Sequence, residues 1–89
     1  MRYEARIEVT HRPGVLDPQG ATVERALPAL GYSGVAAVRI GKCIRLVVEA
    51  RDRETARSQV DSMCERLLVN PVIEAYDLEI TELVPTGSG

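Results

Sequence analysis

Residues 2–10 alternate without interruption. Tyr3, Ala5, Ile7 and Val9 fall on one side; Arg2, Glu4, Arg6, Glu8 and Thr10 fall on the other. Successive side chains of a strand point to opposite faces, so a period of two predicts a half-buried β-strand with one apolar and one charged face. An apolar sheet face must be covered. The remaining residues have to supply that cover, or another chain must. The chain has 89 residues, enough for one domain, 1–83, with a polar tail at 84–89 that is expected to be mobile. Folding at this size buries only about 60–65% of the unfolded surface. Association with other chains is therefore expected from the outset.

His11-Arg12-Pro13-Gly14 ends the first strand. A helix is predicted over 18–30, with Asp17 as N-cap and Pro18 at the first helical position, where its missing N–H costs nothing. Its apolar stripe is Val23, Ala26, Leu27 and Leu30. Pro28 interrupts it and predicts a kink or an early end, with Gly31 as a stop. Residues 35–40 and 43–50 read as two further strands joined at Gly41-Lys42, which suits a type II′ hairpin turn. Asp52 caps a second helix over 53–68, with the stripe Ala56, Val60, Met63, Cys64 and Leu67. Asn70-Pro71 ends that helix. The last strand is predicted over 73–80, with room to run to Leu83. The order βαββαβ predicts an α+β two-layer sandwich, a four-stranded, mainly antiparallel sheet with right-handed crossovers and two helices on one face.

The other sheet face then lacks a helix. Cys43, Val47, Ile73 and Ala75 fall on it and are the candidate oligomer interface, since an apolar patch there would mark a subunit contact.

Composition excludes several functions. Net charge is -2, there is no Trp or Phe, and there are three Tyr. That balance lacks both the basic footprint and the stacking platforms of a nucleic-acid binder. No apolar run approaches the roughly 20 residues of a membrane helix. The charged start Met1-Arg2-Tyr3-Glu4 does not read as a signal peptide. Two Cys and one His are too few for a zinc site of ordinary spacing and read as reduced cytoplasmic thiols beside a solvated loop histidine. Cys64 lies on the buried stripe and reads as a small core residue. Cys43 has no evident cationic activator, so a Cys–His nucleophilic pair is disfavoured. The charged groups of the second helix form its wet side. No catalytic, cofactor-binding or metal-binding residue emerges.

Two loop features resist a local account. Gly20 sits in the first helical turn and weakens it by roughly 1 kcal/mol relative to Ala. Val15-Leu16 are two apolar residues in a short loop. Close approach of another backbone would explain both. Lys42 at the expected hairpin tip suits a solubilising role or a partner's carboxylate or phosphate.

Three segments now stand out in order: Gly14-Val15-Leu16-Asp17-Pro18-Gln19-Gly20, then Gly41-Lys42 after Val38-Arg39-Ile40, then Asn70-Pro71-Val72-Ile73-Glu74 with Tyr76. Together, over residues 2–81, they resemble the PurS family, the small subunit of the three-component phosphoribosylformylglycinamidine synthase. The chain departs from the family at His11-Arg12, where a lysine is frequent, and at Cys43, where an aromatic is. The resemblance implies a cytoplasmic, homo-oligomeric subunit of a ligase of purine biosynthesis. It implies partners that are a large synthase subunit, which uses ATP and Mg, and a glutaminase subunit that releases ammonia. The small subunit would carry no cofactor and turn over nothing alone. It would bridge its partners and keep ammonia from water. Asp17, Gln19, Gly20, Lys42 and Asn70 are then the candidate partner contacts. Two other functions fit a βαββαβ order: an ACT-like amino-acid-sensing domain, and an acylphosphatase-like hydrolase. The second wants an arginine in a phosphate-cradling loop; Arg12 is in place, but Pro13 removes a donor that the cradle needs.

Overall fold

The alternating N-terminal segment is the middle of the sheet. In the computed structural model, which describes residues 1–84, β1 (Arg2–His11) lies between β2 (Lys42–Glu49) and β3 (Glu74–Leu83). It is antiparallel to both. Ala5 stands opposite Leu46 and Ile80, and Ile7 opposite Ile44 and Leu78, so apolar rows cross all three strands. Tyr3, Ala5, Ile7 and Val9 are buried, as the period of two predicts. The tail at 85–89 lies outside the described residues.

One helix covers this face. Asp52 caps α2 (Arg53–Met63) by accepting from the Thr55 N–H at 2.7 Å. Ala56, Val60 and Cys64 recur every four residues and are fully buried against the sheet. Burial pushes the Cys64 thiol pKa up, with help from nearby Asp61 and Glu65. The Tyr76 hydroxyl donates to Asp61 Oδ1 at 3.0 Å, and Arg53 donates to the Ile80 carbonyl, which fastens α2 to β3. Burial first, and then Asp61, push the Tyr76 pKa up to about 12. The expected stripe fails at its end: Leu67 is 84% exposed, and Met63 is exposed as well. The cause is a π turn over Cys64–Leu68, closed by the Val69 N–H on the Cys64 carbonyl at 3.0 Å. Its extra residue per turn rotates the residues beyond it. Leu68 and Val69 face the core in place of Leu67.

α1 (Pro18–Ala26) begins at the Asp17 cap and stops where Pro28 dictates. Residues Pro28–Leu30 form one 3-10 turn, and Gly31 takes the left-handed conformation at φ 98°. The expected second cover does not materialise. Gly20 alone is buried in α1, and no α1 residue belongs to the core. Val23 and Leu30 of its stripe are exposed.

The fourth strand is also absent among the described residues. Residues 35–40 run as an irregular segment, and Ala37 has φ 56°, in the left-handed region that breaks an extended run. Side chains, not a neighbouring strand, take two of its N–H groups. Val38 donates to Glu24 Oε1 at 2.9 Å and Ile40 to Asp17 Oδ2 at 2.8 Å. Gly41-Lys42 is consequently no hairpin turn. It is the entry to β2, with Lys42 paired to Val9. No neighbouring strands pair in parallel, but β2 and β3, each antiparallel to β1, run parallel to each other in one sheet, and α2 is the crossover that joins them.

The result is an elongated slab with a radius of gyration of 17.4 Å and extents of 52 × 36 × 15 Å. A compact domain of this length has a radius of about 12 Å. The sheet with α2 is the folded body; residues 12–41 form an arm beside it.

Body and arm should respond differently to truncation. Val60→Ala removes two buried methyl groups and should cost about 2 kcal/mol in urea unfolding. Leu30→Ala, at a position 72% exposed, should stay within about 0.5 kcal/mol.

Candidate functional site

The arm is held by a few side chains at one end of the sheet. Asp17 is the first. Its Oδ1 accepts from the Gly20 N–H at 2.9 Å, as the cap of α1, and its Oδ2 takes the Ile40 N–H. One carboxylate thus joins the start of the helix to the segment that returns to β2. These two N–H groups, Gly20 first, hold the Asp17 pKa below its ordinary value, helped by nearby His11 and Arg39. Gly20 is explained at the same point. A Cβ there would lie 2.5 Å from the Val38 carbonyl oxygen. The backbone whose close approach the sequence implied is therefore the chain's own. Gly41 makes a similar pass over the Val9 carbonyl.

A second latch sits beside the first. The Asn70 side chain accepts from the Val72 N–H at 3.1 Å. The Asn70 carbonyl accepts from Glu74 N at 2.7 Å, and the Asn70 N–H donates to Glu74 Oε1 at 2.8 Å. This closes the turn into β3. Arg12 fastens the arm to it: its N–H donates to the Ile73 carbonyl and its Nε to the Pro71 carbonyl, both at 2.9 Å. Asn70, Pro71 and Glu74 thus each have a role within the chain.

The structure brings some candidates together and separates others. Asp17, Gly20 and the segment before Lys42 converge. Gln19 and Lys42 are exposed and line one shallow hollow with His11 and Glu74. Asn70 belongs to the second latch. The four candidate interface residues do not make one patch. Cys43 and Val47 lie on β2, Ala75 on β3, and Ile73 in the turn before it. Central β1 puts Glu4, Glu8 and Thr10 between the two sides, because Glu4 pairs with Val47, Glu8 with Cys43 and Thr10 with Ala75. This face is a charged surface, with the Arg6–Glu8 ion pair at 3.0 Å.

Between the end of β1 and the arm is a cleft of about 310 Å³. Arg12, Arg39, Glu24 and His11 line it with Val15 and Val38. His11 Nδ1 is buried without a hydrogen-bond partner. Sequence reading left out Glu24 and Arg39, because their roles depend on contacts across the arm and no spacing rule encodes them. Among the described residues, no group of three or more His, Cys, Asp or Glu could hold a metal ion, and no helix is long and apolar enough to cross a membrane.

A three-stranded antiparallel sheet, one covering helix and a latched, uncovered arm define a small α+β subunit module. The family model for phosphoribosylformylglycinamidine (FGAM) synthase subunit PurS matches residues 4–82. The chain is 57% identical over 81 residues to the PurS subunit of Synechocystis, covering 91% of this chain and 81% of that one. It is 44% identical to the Bacillus subtilis PurS subunit, covering 92% and 96%. The Methanocaldococcus jannaschii PurS crystal structure superposes with a TM-score of 0.83 at 34% identity, over 92% of this chain and 99% of that one. The Thermotoga maritima PurLQS structure matches with a TM-score of 0.83 at 41% identity, over 90% and 98%. The chain belongs to the PurS family, and its function is that of a subunit of FGAM synthase in purine biosynthesis.

Two measurements check the first latch. Gly20→Ala should destabilise the chain by about 1–3 kcal/mol through overpacking, against a helix-propensity gain of about 1 kcal/mol, as read by thermal melting. The amide signals of Gly20 and Ile40 should titrate together, with a midpoint below the ordinary aspartate value of 3.8. A depressed carboxylate pKa means that the latch contributes stability above the ordinary value and loses it as pH falls through the folded one.

Proposed function

We propose that this chain is a non-catalytic bridging subunit: it docks a glutaminase subunit onto an ATP-dependent synthase subunit and keeps the transferred ammonia out of water. The observation that carries this reading is the uncovered arm. Leu16, Leu30 and Tyr32 are each more than half exposed, and Val23 and Val35 are exposed beside them. Apolar area left in water forgoes roughly 25 cal/mol per Å², and a chain this small has little stability to spare. Another chain that buries the arm recovers that term. Membership of the PurS family supports the choice of partners, since the Thermotoga maritima relative was solved as PurLQS.

ATP and Mg chemistry belongs to the synthase subunit in this reading, and glutamine hydrolysis to the glutaminase. Ammonia protonates when it meets water, so a protein that excludes water at the junction protects the transfer without touching a reacting atom. The site of action is the cytoplasm. The chain also self-associates, and the arm, whose apolar side chains exceed those of the charged sheet face, is the surface that drives it.

The test is reconstitution. Omitting the chain should abolish glutamine-dependent FGAM synthesis, with part of the synthesis rescued by high ammonium salt. The chain alone should hydrolyse neither glutamine nor ATP; turnover of either would overturn the reading. Leu30→Asp should weaken assembly while leaving the melting temperature of the isolated chain close to wild type, because position 30 is outside the core and a carboxylate buried unpaired in an interface costs several kcal/mol. Light scattering and subunit titration measure both.

A further inference from the structure

The cleft between the end of β1 and the arm has a chemistry that the latches do not use. Arg12 and Arg39 are exposed and line it together. Two ion pairs occur among the described residues, Arg6–Glu8 and Arg51–Asp52, and neither cleft arginine takes part in them. The carboxylates that share the cleft keep their charge, and Asp17 lies close enough to feel Arg39, but neither forms a hydrogen bond or ion pair with the arginines. Asp17 has both oxygens on main-chain N–H groups, and Glu24 has one on Val38. Arg12 is pinned through Nε to the Pro71 carbonyl, which leaves its terminal nitrogens as donors. Arg39 makes no side-chain hydrogen bond among the described residues. Beneath them lie half-buried Val15 and Val38.

We propose that this cleft is a socket for an acidic side chain on an otherwise apolar segment of a partner subunit, gripped by Arg12 and Arg39 while its aliphatic neighbours lie on Val15 and Val38. A guanidinium presents a planar fork that matches a carboxylate with two parallel hydrogen bonds. Two such forks above an apolar floor suit a carboxylate carried on a hydrocarbon stem. Antiparallel β3 begins beside His11, at the cleft, and ends beside Arg2, at the opposite end of β1. The arm side of the cleft is also held in place, because Glu24 and Asp17 accept from the Val38 and Ile40 N–H groups. A preformed socket loses less entropy on binding than a loop that must order. The proposal rests on the bridging role and names one point of contact within it.

The test compares wild type with Arg39→Gln and with the Arg12→Gln/Arg39→Gln pair, in titrations with the synthase and glutaminase subunits at two salt concentrations. Arg39→Gln removes no hydrogen bond and only a solvent-screened attraction to Asp17, so its melting temperature should stay close to wild type. Its affinity for one of the two subunits should fall about tenfold, with a flatter salt dependence. The double variant should fall further. Equal affinities for all three forms would overturn the socket while leaving the bridging role in place. Failure of wild type to bind either subunit would overturn both. Inorganic phosphate is the control. If it shifts the Val38 and Arg39 amide signals of the isolated chain, and the substitutions abolish that shift without changing assembly, the cleft is a small-anion site and the proposal falls. If the substitutions change only the self-association of the chain, the occupant is a second copy and the proposal falls likewise.

Discussion

The arrangement of this molecule depends on one carboxylate. Asp17 caps α1 through Gly20 and, with its second oxygen, takes the N–H of Ile40. A backbone N–H must find an acceptor, and Ile40 finds it in the arm, not in a strand. Glu24 does the same for Val38. The segment is thereby kept out of the sheet, β2 starts at Lys42, and the sheet stops at three strands. The cleft exists because the same two residues hold its wall in place.

The division between body and arm reflects what each can bury. The body has an alternating central strand and a helix with small and medium residues at every fourth position, so Ala56, Val60 and Cys64 close over Ala5, Ile7 and Val9. The arm has a helix that contributes no residue to the core and leaves Val23 exposed. In a lone globular domain that would be an unexplained cost. In the bridging role proposed above, it is the half of an interface that the chain contributes. The four-residue turn of Asn70, the fork of Arg12 and the double role of Asp17 then serve one purpose: they present the arm in a fixed pose.

Features that rest on neighbouring residues were legible in the sequence. The alternation of residues 2–10, the caps at Asp17 and Asp52, the break at Pro28 and the burial of Cys64 all obey local rules. Features that rest on distant partners were not legible. Residues 35–40 are rich in Val, Ala and Ile and read as a strand, but Asp17 and Glu24 claim their N–H groups, and Ala37 turns left-handed. Leu67 fits a regular helix and is expelled by the π turn in which it sits. The expected patch of Cys43, Val47, Ile73 and Ala75 rested on their sharing the uncovered face, with no strand order to say which of them are neighbours. Strand order is a tertiary fact, and charged β1 lies between them. At Gly20, the sequence revealed that something approaches closely without revealing that it is the Val38 carbonyl.

The central place of β1 has a consequence for how the molecule is made. The strand that both edges need is made before either of its neighbours, and β3 is made after β2 and α2. Arg2 pairs with Leu83, far along the sequence. Synthesis proceeds at about 5–20 residues per second, so during translation β1 waits with both backbone edges open and its apolar face bare. Closing such long loops is slow, because the entropy of closure is lost before the contacts are gained. The nascent chain is therefore most exposed to mispairing in the seconds before β3 arrives, when the two edges of β1 lack one of the strands that cover them.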